Sequence, residues 1–399
     1  MSSRAEPVHL SALGLVNALG RGKAAVARGL FAGDTSGLVL EEGWVPGRAV
    51  RVGRVAGALE PLPAALHRDD SRNTRLLLAA LEEIRDEVER ELSRVGPARI
   101  GVVLGTSTSG IEAAERAMVH HLREGALPDW FSYPCQEMGR PALFLAQYLG
   151  LKGPAYTVST ACTSSGRAVA AARNLLRLGL CDVVITGGAD SLCKLTLNGF
   201  TALEAATAGL TNPMSAAREG INIGEGAALF ILRREPSEVA LLGVGESSDA
   251  HHISSPDPTG GGAERALRGA LDEAGLDPLA VTGYLNLHAT ATPLNDAMES
   301  LAVARVFPQG LACSGTKPLT GHCLGASAAT ELAFCWLTLH PAWNPGGLLP
   351  PHRWDGQADP ELPALTLVRE GDRLAPGGVC LSNAFAFGGN NLTLAAGLA

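Results

Sequence analysis

Short apolar stretches that end in glycine turns alternate with helical patterns along the chain, and this alternation constrains the fold most. Strands are predicted at 8–16, 100–104, 155–159 and 182–186, and helices at 72–94, 142–149 and 165–178. Strands that alternate with helices usually pair in parallel within layered structures. The sequence therefore predicts a layered α/β fold with parallel strands.

A second round of the same alternation begins near residue 240. Strands are predicted at 240–246, 283–287, 311–314 and 378–382, and helices at 262–274, 296–306 and 326–339. Proline-rich segments at 253–262 and 341–363 are typical of surface loops, and no linker composition separates the two rounds. We therefore expect two halves, residues 1–239 and 240–399, that share one body.

The composition argues against several classes of protein. The net charge is −8 and the pI is about 5.7, whereas nonspecific nucleic-acid binders are usually basic. No apolar run reaches the roughly 18 residues of a membrane helix, and residues 1–20 show no leader pattern. The eight cysteines form no Cys-x-x-Cys pair, which is typical of reduced thiols. We expect a cytoplasmic protein without nucleic-acid binding, membrane insertion or a metal site.

Cys162 stands where a β-branched strand stops and a helical pattern begins. The N-terminus of a helix carries unpaired N–H groups and partial positive charge, which stabilise a thiolate. A thiol there can have its pKa lowered from about 8.5 to between 3.5 and 7.5. The sequence thus predicts a nucleophile at Cys162, although a buried structural cysteine remains the alternative on local sequence alone.

Two histidines lie in Gly/Thr-rich turns after predicted strands, where functional residues concentrate. His288 is followed by Thr290 and Thr292, and His322 shares a glycine-bounded loop with Lys317. Each histidine alone is more often a surface or core residue than a catalyst. Their context makes both of them candidates.

Lys317 is conspicuous because the chain contains only four lysines. It lies close to His322 in sequence, and the acid Glu331 follows it and could hold it in place. The pattern predicts a lysine held near the candidate histidine.

The C-terminal turn combines Phe385 and Phe387 with the flexible pair Gly388 and Gly389. A β-turn with core aromatics is one interpretation. The functional interpretation is a gating loop whose backbone N–H helps to stabilise an oxyanion.

In order and spacing, these motifs resemble the elongating β-ketoacyl-acyl carrier protein (ACP) synthases of the thiolase superfamily. The resemblance runs over nearly the whole chain and is carried by segments 160–165, 218–226, 286–293, 316–325 and 382–391. It implies a thiolase fold, in which two βαβαβαββ halves form a five-layered α-β-α-β-α sandwich. It also implies a dimer, a homodimer or a heterodimer with a chain-length-factor homologue.

The resemblance implies a role for each candidate residue. Cys162 would take an acyl group from a carrier protein, and His288 and His322 would help to decarboxylate malonyl-ACP and stabilise the enolate. Lys317, held by Glu331, would support His322. Phe387 would gate the acyl pocket, and its backbone N–H and that of Cys162 would stabilise the oxyanion. Thr290 and Thr292 would bind the phosphopantetheine arm, and the remaining implied substrate-binding residues are Phe385, Gly388 and Gly389. No metal or organic cofactor is implied.

Some residues depart from the family's commoner pattern. Ala289 follows His288 where glycine is usual, and Asn390 precedes Asn391 where threonine is usual. The run 288–299 and the turn 388–391 resemble ketosynthases of bacterial aryl polyene pathways more than fatty-acid enzymes. The growing chain would then be a conjugated polyene rather than a saturated acyl chain.

Two other functions compete with ketosynthase activity. A thiolase acts on CoA thioesters and uses a second cysteine as base, but Cys380 lies within a predicted strand. The initiating synthases use an asparagine in place of the second histidine, so His322 disfavours them. A noncatalytic chain-length factor typically lacks the nucleophile, whereas Cys162 and both histidines are present here.

Docking of an acidic carrier protein to a chain of negative net charge requires a local basic patch. Arg68, Arg72 and Arg75 recur at helical spacing and predict one such face, with Arg173 and Arg177 as a second candidate. A solvated helix face is the alternative interpretation of both sets.

Overall fold

The computed structural model describes residues 7–399 of the chain. The first six residues, part of the segment inspected for a leader, lie outside the described residues. Within 7–399, no helix combines the length and the apolar character needed to span a bilayer.

The part of the first half that the structure describes contains nine strands and seven α-helices. In chain order these are β1 (Val8–Asn17), β2 (Gly20–Arg21), α1 (Lys23–Ala32), β3 (Leu38–Val45), β4 (Arg48–Gly53), α2 (Arg72–Glu82), α3 (Arg85–Val95), β5 (Ile100–Gly105), α4 (Ile111–Glu124), α5 (Arg140–Tyr148), β6 (Ala155–Val158), α6 (Ser164–Arg177), β7 (Val183–Asp190), α7 (Lys194–Ala202), β8 (Ile223–Gly224) and β9 (Gly226–Arg233).

The second half contains six strands and four α-helices. These are β10 (Val239–Ser248), α8 (Gly261–Ala274), β11 (Gly283–Leu287), α9 (Pro293–Val306), β12 (Ala312–Gly315), α10 (Lys317–Thr320), α11 (Ser327–Leu339), β13 (Thr366–Leu367), β14 (Val379–Ala386) and β15 (Asn390–Leu398). Short 3₁₀ turns occupy Ala64–Asp69, Pro97–Arg99, Tyr133–Gln136 and Leu324–Ala326.

The two halves have the same strand order. Across the sheet the first half runs β1-β9-β7-β5-β6, and the second half runs β10-β15-β14-β11-β12 with β13 at its edge. The last strand of each half, β9 or β15, is antiparallel to its neighbours. Within the large sheet the predicted parallel pairing holds for β7-β5-β6 in the first half and for β14-β11-β12-β13 in the second. A short antiparallel contact between β1 and β10 joins the two halves.

Helices and sheets stack in five layers. Helices α6 and α11 lie between the two half-sheets, and every residue of α11 is buried. Helices α2 and α5 cover the outer face of the first half-sheet, and α8 and α9 cover that of the second. Apolar side chains fill each helix–sheet interface, which explains why the strands are apolar on both faces. The predicted five-layered thiolase fold is confirmed.

Close contact between α6 and the sheet depends on glycine. A Cβ added at Gly105 would lie 2.2 Å from the backbone nitrogen of Ser165, and one at Gly188 would lie 2.5 Å from the carbonyl oxygen of Gly105. The strand predicted at 182–186 continues through Gly187 and Gly188 in β7, where it passes under the start of α6.

The predicted helix at 72–94 is wrong as a single element, because it is split into α2 and α3 at Ile84. The backbone of Ile84 has φ −124° and ψ 12°, which are not helical values. The break places Glu83 where its carboxylate accepts a hydrogen bond from the backbone N–H of Lys23, at 2.9 Å. This long-range contact has no signal in the local sequence, which contains neither glycine nor proline at the break.

Arg72 is bound to a buried carboxylate rather than presented to solvent. Its Nε and Nη2 donate to Oε2 and Oε1 of Glu225 at 2.6 and 2.5 Å, and the Glu225 side chain is fully buried. The backbone N–H of Val55 also donates to Oε1, at 3.1 Å. A carboxylate taken out of water needs such partners, so this contact stabilises the fold.

We therefore expect Arg72→Ala to lower the free energy of unfolding by about 2–4 kcal/mol, because it leaves the Glu225 charge poorly paired. The urea midpoint, followed by tryptophan fluorescence, measures the loss. Arg75→Ala is the matched control, since Arg75 pairs with the partly exposed Asp70 and should cost less than about 1 kcal/mol. Equal losses in the two variants would contradict this role for Arg72.

Candidate active site

Cys162 lies in a tight turn between β6 and α6. The preceding residue, Ala161, has φ +52°, a left-handed backbone that a residue with a Cβ adopts only under constraint. The hydroxyl of Ser164 supplies that constraint, because it accepts from the N–H of Thr160 at 2.8 Å and donates to the carbonyl of Ala161 at 2.5 Å. Helix α6 begins at Ser164, so Cys162 precedes the first helical residue instead of opening the helix.

The Cys162 thiol faces His322. Its Sγ lies 3.0 Å from Nε2 of His322, and Cys162 is 7% exposed. Burial raises the pKa of the Cys162 thiol to about 12, although the nearby Lys317 ammonium opposes the shift. The predicted lowering of this pKa is therefore wrong in direction, because desolvation of the thiolate outweighs the partial charge of the helix end.

His322 is fixed through its backbone and its ring. Its N–H donates to the carbonyl of Asn222 at 2.7 Å, and its own carbonyl accepts from the N–H of Gly224 at 3.0 Å. Ring atom Nδ1 lies 3.2 Å from the hydroxyl of Ser327. Burial holds the pKa of His322 well below its usual range, so the ring is neutral. Segment 218–226, one of the motifs that carried the resemblance, thus positions this histidine.

His288 lies beside His322, with ring centroids 5.4 Å apart and nearly perpendicular planes. Its ring also meets Phe385 edge-on at 5.8 Å. Burial holds the pKa of His288 well below its usual range, and the Lys317 charge adds to this effect. Two neutral imidazoles therefore face the Cys162 sulfur.

Lys317 contacts His288, whereas the sequence had predicted that it would support His322. Its Nζ lies 2.5 Å from Oε1 of Glu331 and 3.4 Å from Nδ1 of His288, and it also donates to the carbonyl oxygen of His288. An ammonium offers three N–H donors and no acceptor, so all three are occupied. Nδ1 of His288 must accept, which leaves the proton on Nε2. Lys317 acts on His322 only through the electrostatic repulsion of its positive charge, which lowers the pKa of His322.

Two buried carboxylates of α9 hold the His288 loop. Glu299 accepts from the N–H groups of His288 and Ala289, both at 2.7 Å, and Asp296 accepts from that of Ala291 at 3.1 Å. Both alanines have left-handed backbones, with φ +42° and +58°. Burial raises the pKa of Glu299 to about 7 and that of Asp296 to about 6. Both acids fall within the predicted helix at 296–306, but no role was predicted for either of them.

Asp190 is a further residue that the sequence analysis missed. One of its oxygens accepts from the hydroxyls of Thr106 and Thr108, both at 2.7 Å, and the other accepts from the N–H of Ala326 at 3.0 Å. The loop after β5 is thereby tied to the turn that follows His322. Since its partners are remote in sequence, only the position of Asp190 at the end of a strand could have drawn attention to it.

A cavity of about 260 Å³ opens onto this group. Thr290 and Thr292 line it, and their hydroxyls lie 3.0 Å apart. Phe385 and Phe387 also line it, whereas Gly388 and Gly389 form the turn behind Phe387 and do not. The structure thus brings together Cys162, His288, His322, Lys317, Glu331, Thr290, Thr292, Phe385 and Phe387.

Two sequence profiles match this chain, described as “Beta-ketoacyl synthase, N-terminal domain” over residues 66–237 and “Beta-ketoacyl synthase, C-terminal domain” over residues 239–348. The chain belongs to the β-ketoacyl synthase family. Its relatives include Nodulation protein E of Rhizobium meliloti, 33% identical over 74% of this chain and 75% of that protein. The 3-oxoacyl-[acyl-carrier-protein] synthase 2 of Staphylococcus aureus is 30% identical over 81% and 83%.

Among solved structures, the ketosynthase ApeO of Xenorhabdus doucetiae, in complex with its chain length factor ApeC, superposes with a TM-score of 0.94. The two sequences are 42% identical, and the match covers 100% of each chain. The predicted family, fold and enzyme class are thus confirmed, and this β-ketoacyl synthase is an acyltransferase.

The side chains of Cys162, His288 and His322 are also a potential set of metal ligands. The sulfur of Cys162 and one nitrogen each of His288 and His322 lie within 4.8 Å of one another, and Zn²⁺ takes such donors. The Lys317 ammonium beside His288 would oppose a bound cation. The hydrogen-bond arrangement described above uses all three side chains without an ion.

Most arginines of the two predicted docking faces are paired within the protein, and docking of a carrier protein at either face stays a prediction. Arg68 lies in the 3₁₀ turn before α2, Arg72 is bound to Glu225, and Arg75 is paired with Asp70. On α6, Arg173 and Arg177 donate to the two oxygens of a single carboxylate, that of Glu273, at 2.5 and 2.6 Å. Helical spacing cannot reveal these acidic partners, because all of them except the partner of Arg75 are remote in sequence. They neutralise most of the arginine charges within the protein itself.

The raised pKa of Cys162 determines how its alkylation depends on pH. Because the thiolate is the nucleophile and the pKa lies near 12, the rate with iodoacetamide should rise about tenfold per pH unit from pH 6 to 9. The labelled fraction is measured by peptide mass spectrometry, with Cys162→Ala as the control for other sites. A plateau below pH 8 would show instead that the helix end stabilises the thiolate.

Lys317→Met should lower the free energy of unfolding by about 3–5 kcal/mol, because it leaves Glu331 buried without its cation. Burial already raises the pKa of Glu331. The folded protein therefore binds its proton more tightly than the unfolded chain does, so the loss should be larger at pH 8 than at pH 5. Urea unfolding at the two pH values measures this.

The double variant Lys317→Met with Glu331→Leu separates stability from positioning. It should regain most of the stability, because neither charge is left buried alone. Acylation of Cys162 should persist, whereas decarboxylation of malonyl-ACP should remain about 10²–10³-fold slower, since Nε2 of His288 is no longer fixed as a donor. If the double variant regains decarboxylation as well as stability, Lys317 contributes only to stability and does not position His288.

Proposed function

We propose that Cys162 is the nucleophile of this ketosynthase and accepts the acyl group from acyl-ACP. Its Sγ attacks the thioester carbon, and the phosphopantetheine thiol departs with the proton that Cys162 gives up. His322 can relay that proton, because its Nε2 lies 3.0 Å from Sγ. The backbone N–H groups of Cys162 and Phe387 would stabilise the oxyanion.

In the second half-reaction, malonyl-ACP loses CO₂ and an enolate forms. His288 and His322 would each donate a hydrogen bond from Nε2 to the enolate oxygen. The enolate carbon attacks the acyl-Cys162 carbonyl, 3-oxoacyl-ACP leaves, and the Cys162 thiolate takes one proton from solvent. The observation that carries this proposal is the contact of Lys317 with Nδ1 of His288, which leaves Nε2 protonated. The Ser327 hydroxyl can accept or donate, so His322 can return to its donor form.

The remaining parts of the site fit the carrier's arm. Thr290 and Thr292 would bind the phosphopantetheine through their paired hydroxyls, which line the cavity. Phe387 would gate the acyl pocket, with Gly388 and Gly389 allowing its turn to move. Each step uses side chains and backbone groups of the protein, so the reaction needs no metal or organic cofactor.

The pathway that fits this chain best is that of aryl polyenes. The resemblance of segments 288–299 and 388–391 points there, and the ApeO ketosynthase matches over the full length. Because that ketosynthase is in complex with its chain length factor, we infer that this chain pairs with a homologous partner. Strand β6 ends one edge of the sheet and Tyr156 on it is 38% exposed, which suits an interface.

The division into halves at residue 239 and a cytoplasmic location complete the proposal. The two halves repeat one strand order across the sheet on either side of that point. The eight cysteines are all buried and free, as expected in a reducing compartment.

Intact-protein mass spectrometry tests the proposal directly. After mixing with acyl-ACPs of varied length and unsaturation, the protein should gain one acyl group, and Cys162→Ala should gain none. The preferred acyl group decides between saturated and polyene substrates. If no acylation occurs either alone or with the co-purified partner, the chain is instead a noncatalytic subunit that shapes the pocket of its partner.

A further inference from the structure

Two aromatic rings face each other across the cavity that reaches Cys162. Phe200 on α7 and Phe387 on the turn after β14 have ring centroids 5.5 Å apart and planes inclined by 31°. Both side chains line the cavity. The Phe385 ring, which also lines it, is engaged with His288 instead.

The two rings are anchored differently. Phe200 packs on a cluster that includes Leu197 and Ile221, so its ring is held by the body of the protein. Phe387 is 38% exposed and precedes Gly388 and Gly389, which have φ +85° and +74°. Glycine adopts this backbone without steric cost and can also leave it. One ring is therefore fixed, and the other stands on a turn that can move.

The separation of the rings determines what can pass between them. Carbon atoms in contact lie about 3.5–4.0 Å apart, so one flat layer between two rings needs faces about 7–8 Å apart. The present 5.5 Å is too narrow, and a displacement of Phe387 by about 2 Å would open the slot. A saturated chain is thicker, because its hydrogens project on both sides of the carbon zigzag, and it lacks the π faces that stack on aromatic rings.

We propose that Phe200 is a specificity-determining residue, the fixed face of an aromatic slot that selects flat conjugated polyenoyl groups over saturated acyl groups for transfer to Cys162. This inference rests on the proposed ketosynthase function and adds a physical basis for its choice of substrate. The other apolar side chains of the cavity at Leu203, Ile221 and Leu294 offer bulk without a flat face.

The experiment compares hexanoyl-ACP with 2,4-hexadienoyl-ACP, which carry the same number of carbons. Rates of acyl transfer to Cys162 are measured by intact-protein mass spectrometry, with the partner subunit present if the protein requires it. Phe200→Leu should lower the dienoyl-to-hexanoyl rate ratio by roughly threefold to tenfold relative to the unaltered protein. Comparing ratios between proteins cancels the different intrinsic reactivity of the two thioesters.

Two control variants make the test decisive. Phe200→Tyr keeps an aromatic face and should keep the ratio, and Leu203→Ala changes the same cavity without an aromatic ring and should alter both rates alike. An unchanged ratio in Phe200→Leu, or the same fall in Leu203→Ala, would overturn the inference while acylation itself persists. If neither carrier acylates the unaltered protein, the proposed function fails and this inference fails with it.

Discussion

Lys317 places a full positive charge inside the protein, and the geometry of the active site depends on how that charge is satisfied. A buried ammonium must find acceptors for its donors, and Lys317 finds them on Glu331 and on the ring and carbonyl of His288. These partners come from α11 and from the loop after β11, so one cation fixes two separate segments. The same contacts determine which nitrogen of His288 bears its proton.

The repeated topology explains why these segments meet. Cys162 follows β6 and His322 follows β12, which hold the same position in the two repeated strand orders, and each residue lies just before a helix of the central layer. Stacking the half-sheets around α6 and α11 brings the starts of both helices together. Ionic and hydrogen-bond ties across the halves, such as that from Asp190 to Ala326, then set the distance between them. Neither half alone contains the pair of side chains.

The sequence was informative wherever function left a local pattern. Strand–helix alternation predicted the layers, and the turns at Cys162, His288 and His322 predicted three side chains that the structure brings together. Contacts between distant residues left no such pattern. Glu299 falls in a predicted helix with no role assigned to it, although it holds two backbone N–H groups of a left-handed loop. Arg72 looked exposed, although a carboxylate 153 positions away binds it. Helical spacing reports a shared face but not what covers that face.

The error about the pKa of Cys162 shows how burial governs the chemistry. A helix end alone favours the thiolate, but a fully desolvated sulfur stays protonated, and the two imidazoles stay neutral for the same reason. Such a site is suited to a carbanion intermediate. A neutral imidazole stabilises an enolate oxygen by donating a hydrogen bond, whereas an imidazolium would be acidic enough to protonate the nucleophilic carbon and end the reaction. Dry surroundings thus protect the intermediate while fixed donors stabilise it.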